Sequence, residues 1–134
     1  MPISRTLATV VLAFSLLAAA CSDDAPTGVI FGEGEVPETV SESFPIPENA
    51  RIGSTLINYD LGETEMIMIV PAAGPAVVAF YETNLPNAGY TIESSEGNQA
   101  EWKILFSDDE VEGSMTLAVG GVDVTQVATE FIET

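Results

Sequence analysis

The chain has 134 residues, with 21 acidic side chains against 3 basic ones and no histidine, so its formal charge is −18. That balance excludes a nucleic-acid partner, because phosphates are bound by clusters of Lys and Arg. The absence of histidine removes the commonest general base and metal ligand. It also removes Ser–His and Cys–His nucleophile pairs.

The first 20 residues have the three parts of a secretion signal. Arg5 is the positive start, an apolar run extends from about Leu7 to Leu17, and Ala18, Ala19 and Ala20 precede a cut. The apolar run is shorter than the roughly 20 residues a transmembrane helix needs. Cys21, the only cysteine, follows at once, and Ser22-Asp23-Asp24 comes next.

Leu17-Ala18-Ala19-Ala20-Cys21 resembles the lipobox of bacterial lipoproteins. The resemblance implies lipid attachment at Cys21, removal of residues 1–20, and anchoring to the outer side of a bacterial membrane, in the periplasm or cell envelope. Two or more acyl chains, palmitate among them, give stable anchoring where one does not. The alternatives are an ordinary secreted protein cut after Ala20 and an uncleaved membrane anchor.

After the cut the chain retains 2 basic and all 21 acidic side chains, a formal charge of −19. Adsorption to an anionic membrane surface is then disfavoured, and the lipid holds the protein there. Solubility or a saline habitat accounts for the acidity, and a cationic partner is the sharper explanation.

Residues 21–49 read as an acidic, flexible tether. They are rich in Asp, Glu, Pro and Gly, a mix that buries too little apolar surface to order itself. As a coil they span roughly 30 Å. Val29-Ile30-Phe31 is the apolar exception within it.

Residues 50–134 read as one small domain. Arg51 to Tyr59 is a strand, Asp60 to Glu63 a turn, and Thr64 to Val70 a second strand, so the pair makes a hairpin. Met66 to Val70 is apolar throughout, which predicts a central strand covered on both faces, or nearly so. Gly74-Pro75 opens a helix whose stripe is Val77, Phe80, Tyr81 and Leu85, and Pro86 ends or kinks it. Gly89 suits a left-handed cap.

Three further strands follow. Tyr90, Ile92 and Ser94 alternate with Thr91, Glu93 and Ser95. Glu101 to Ser107 puts Trp102, Ile104 and Phe106 on one face. Ser114 to Val119 puts Met115, Leu117 and Val119 inward. Val122 to Ile132 is either a sixth strand or partly helical. The fold class is therefore α+β: an antiparallel sheet of five to six strands, in the order β-β-α-β-β-β, with one helix on one face. The run from Val77 through Leu85 to Gly89-Tyr90 resembles small exported bacterial lipoprotein domains, and more loosely the helix-grip domains of outer-membrane assembly lipoproteins. The resemblance implies a fold and no chemistry.

No catalytic set and no cofactor motif is evident, and carboxylates alone suggest an enzyme only weakly. The densest acid cluster is the loop Ser107 to Gly113. Its Asp108, Asp109, Glu110 and Glu112 are the weak candidates for a calcium ion, although their order departs from an EF-hand. A solvated hairpin loop is the simpler account. Trp102 and Tyr90 suggest either a ligand-facing aromatic pair or core packing. The functional expectation is a non-enzymatic, membrane-anchored binding or scaffold module that meets an envelope protein or a cationic ligand. The alternative is a metal- or small-ligand-binding lipoprotein that uses the acidic loop or a pocket between helix and sheet.

Overall fold

A computed structural model describes residues 25–134. The signal segment, Cys21 and the start of the tether lie outside the described residues. Seven strands form one antiparallel sheet: β1 (Val29–Glu33), β2 (Arg51–Asn58), β3 (Glu63–Val70), β4 (Thr91–Gly97), β5 (Glu101–Ser107), β6 (Val111–Ala118) and β7 (Thr125–Glu133). The spatial order is β1-β2-β3-β7-β6-β5-β4. A single helix among the described residues, α1 (Gly74–Asn87), carries the chain from β3, beside the middle strand, to β4 at the far edge. The strands then step back until β7 pairs with β3. The α+β class and the antiparallel sheet match expectation, but the strand count is seven rather than five or six.

Three of the hairpin turns share one device. Asn58 Oδ1 accepts from the backbone N–H of Asp60 and Leu61 at 3.1 and 3.2 Å. Asn98 Oδ1 accepts from Ala100 and Glu101 at 2.8 and 3.0 Å. Asp108 Oδ1 accepts from Glu110 and Val111, both at 2.8 Å. Each short side chain satisfies the N–H groups that the reversing chain leaves unpaired.

The core lies on one face of the sheet. Met66, Met68 and Val70 of β3, Val127 and Phe131 of β7, Met115 and Leu117 of β6, and Ile104 and Phe106 of β5 are buried there. From α1, Val77, Val78, Tyr81 and Leu85 pack down onto them. Pro86 sits inside the last turn of the helix rather than ending it, since α1 runs to Asn87. Gly89, at φ 97°, then reverses the chain as expected.

The tether is the main correction. Val29 to Glu33 pairs with β2 as an edge strand. Residues 35–50 form a chain of tight turns, with Val40 N–H to Pro37 O, Phe44 N–H to Ser41 O and Ala50 N–H to Pro47 O, each 3.0–3.1 Å. Pro37, Val40, Phe44 and Pro47 are buried. The reason is coverage. Seven strands at about 4.8 Å span roughly 29 Å, and one helix about 10 Å wide cannot cover that width. The turns roof the part of the core face that α1 leaves bare.

Phe44 joins the two covers. Its ring lies 5.0 Å from Phe131 and 6.0 Å from each of Tyr81, Tyr90 and Phe106. The segment is also pinned by a 2.6 Å hydrogen bond between the Thr39 and Thr64 hydroxyls. The Tyr59 hydroxyl donates to the Glu38 carboxylate. That bond, then burial and the Glu38 charge, raises the Tyr59 pKa. The stretch from Val122, which the sequence fits to a strand or in part to a helix, enters the central strand β7 at Thr125, with no helix in it.

Candidate functional site

Among the described residues, the second face of the sheet carries neither helix nor turns. Residues paired across a ladder share a face, so its rows follow from the register. One row reads Phe31, Leu56, Glu65, Glu130, Ser114, Leu105 across β1-β2-β3-β7-β6-β5. The next reads Ile67, Ala128, Thr116, Lys103, Glu96 across β3-β7-β6-β5-β4. Met66 to Val70 therefore has one face in the core, while Ile67 and Ile69 are half-buried on this open side. The expectation that β3 is covered on both faces is corrected to that extent.

The sheet forms a groove of about 380 Å³ here. Ile67 and Ala128 contribute its floor, Phe31 and Leu56 one wall, and Thr116 and Ser114 the other. Phe31 is 77 % exposed, an unusual position for a phenylalanine. Glu65 and Glu130 line the same groove, directly opposite one another on β3 and β7. Like charges facing across a ladder destabilise it. An uncompensated cost of this kind marks a position where something other than stability shaped the sequence.

A second cavity, about 500 Å³, lies on the helix side near the β4–β5 turn. It brings Trp102 to helix α1, beside Val78 and Glu82. The Trp102 indole N–H donates to Ser95 Oγ at 2.9 Å, and Ser95 Oγ donates to Glu82 at 3.2 Å. Ser95 reaches this side because the register shifts between Ile92 and Ser94, which breaks the strict alternation expected of β4. Trp102 and Tyr90 are not neighbours in one site. Tyr90 is buried against Phe44 and Phe106, and its pKa is raised by burial, then by the charges of Asp108 and Glu110. The nearby hydroxyls of Ser41 and Ser43 partly offset that rise.

The acidic loop is a tight turn of β5–β6. Asp108 spends its carboxylate on two backbone N–H groups, and Asp109 and Glu110 are exposed beside it. Glu112 belongs to β6, and Gly113 is a buried position of that strand. No group of three or more acidic side chains converges to hold a metal among the described residues. No helix among them is long and apolar enough to cross a membrane. The lipid-attachment candidate, Cys21, lies outside the described residues.

The residues of the open groove were legible singly but not as a site. Phe31 sits in the apparent tether, and Glu65 and Glu130 are far apart in the chain. The architecture of the described residues is a one-sided α+β sandwich whose second sheet face is acidic and partly apolar and carries no other element among them. No protein family model matches the chain, and no curated protein or solved structure matches it either.

Proposed function

We propose that this chain is a bacterial lipoprotein, anchored through Cys21 on the outer side of a membrane, that works as a non-enzymatic binding module of the cell envelope. Its open sheet face receives a cationic, partly apolar segment of an envelope protein. The observation that carries this is the groove in which exposed Phe31 and apolar Leu56 and Ile67 adjoin the facing pair Glu65 and Glu130. An apolar wall supplies burial, and two carboxylates select a Lys or Arg side chain. A cation between them also relieves their mutual repulsion, so binding recovers stability that the free protein lacks. Electrostatic steering by a mature chain of charge −19 favours the same partners.

Two experiments test the two halves. Cys21→Ser should release the protein from membranes or leave an unprocessed precursor, and a processed, membrane-bound variant refutes the anchor. A photo-crosslinker placed at Thr116 in intact envelopes should trap a discrete partner. Placed at Thr83 on the exposed side of α1, it should not. Glu65→Lys with Glu130→Lys should abolish the Thr116 adduct. An adduct that survives the double charge reversal rules out the groove.

A further inference from the structure

We propose that the cavity between α1 and the β4–β5 hairpin binds a small organic cation, an ammonium group carried on an apolar body. The cavity holds about 500 Å³, within the range of small-ligand sites. Pro75 and Val78 from the helix, Val119 just past β6 and the indole of Trp102 supply apolar lining, and Gln99 adds an amide. Among the described residues, Glu82 is the only ionisable one on the wall. It belongs to the exposed side of α1, yet it faces β4, because Ser95 donates to its carboxylate.

That hydrogen bond occupies Glu82 Oε2 and leaves Oε1 free to accept. The same serine accepts from the Trp102 N–H, so one hydroxyl fixes both the carboxylate and the indole. The register shift in β4 is what brings Ser95 to this point. A carboxylate and an indole held in register on an apolar wall match an ammonium headgroup with a hydrocarbon or aromatic body. The carboxylate pairs the charge, and the tryptophan face attracts it further. An anionic ligand meets Glu82 unfavourably, and a neutral one leaves it unpaired.

The cavity is on the covered side of the sheet, so its occupancy is independent of the open groove and of the anchor. The chain contains one tryptophan, so Trp102 fluorescence reports this site alone. The probe is phenethylammonium at 0.15 M salt, with 2-phenylethanol as the uncharged control. Phenethylammonium should produce a saturable change in intensity or wavelength, at least fivefold tighter than the alcohol. Glu82→Gln, on an exposed helix position, should remove that difference while leaving circular dichroism unchanged. Ligand-observed NMR provides the same comparison for Trp102→Phe, which should weaken the amine. A linear, unsaturable response refutes the site. So does equal affinity for amine and alcohol, or an undiminished preference in Glu82→Gln.

Discussion

Two threonines on β7 give a matched test of what burial does to a hydroxyl. Thr129 is 2 % exposed, faces Met66 on β3 and Met115 on β6, and its Oγ1 has no hydrogen-bond partner among the described residues. Thr125, four residues earlier on the same face, is fully buried, but its Oγ1 donates to the Ala72 carbonyl at 2.8 Å. Thr→Val swaps a hydroxyl for a methyl of nearly the same size. At Thr129 it removes an unpaired polar group, which costs about 1–3 kcal/mol when buried, and replaces it with apolar contact. We expect Thr129→Val to stabilise by about 1–2 kcal/mol, or roughly 4–8 °C in Tm for a domain of this size. At Thr125 the same swap leaves the Ala72 carbonyl without its donor, and we expect a loss of about 1 kcal/mol or more. The methyl gain is common to both, so the opposite signs isolate the partner. Urea unfolding with an unchanged m-value measures each. If Thr129→Val is neutral or destabilising, or if both variants shift the same way, the assignment of Thr129 as an unsatisfied hydroxyl is wrong.

Phe44→Ala should cost about 3–5 kcal/mol, because its ring touches four other aromatic rings, and urea denaturation measures it. A loss below 1 kcal/mol would mean that residues 35–50 contribute little to the core. Gly113→Ala should cost about 3 kcal/mol or prevent folding, since a Cβ there would lie 2.1 Å from Phe106 Cζ and push the ring out of its cluster. A near-UV circular dichroism spectrum like that of the parent, with unchanged stability, would contradict it. Tyr81 is fully buried, and burial pushes its pKa well above the ordinary 10.0. Its contribution is whole below pH 10 and is lost as pH rises further, because only the unfolded chain then releases the proton. The slope is at most about 1.4 kcal/mol per pH unit. Among the described residues its hydroxyl reaches only Met68 Sδ, at 4.0 Å, so Tyr81→Phe should be close to neutral at pH 7 and should flatten the alkaline limb. An alkaline limb as steep as the parent's would assign the effect elsewhere.

Much of the architecture was legible because it is encoded locally. Alternation placed Trp102, Ile104 and Phe106, and then Met115 and Leu117, on the core face. Pro75 and Gly89 marked the two ends of α1, and Gly62 marked the β2–β3 turn. The Asx turns at Asn58, Asn98 and Asp108 are a local signal of the same kind, though Asp108 reads equally well as one acid among several. A carboxylate in a charged run differs from a turn residue only in which N–H groups surround it.

The sequence alone determined the acidity, the absence of histidine chemistry and the expectation of a lipid address at Cys21, since these need no knowledge of what lies beside what. It also determined most strands and the helix, whose periods are properties of the chain itself. The tertiary structure decided the rest. Residues 29–49 look disordered by composition, and they are ordered because a seven-stranded sheet has more apolar face than one helix can cover. Phe44 has no local reason to be buried; the gap beside α1 supplies it. Glu65 and Glu130 are ordinary surface acids until β7 pairs with β3. That pairing closes last along the chain, and its register alone sets the two carboxylates face to face.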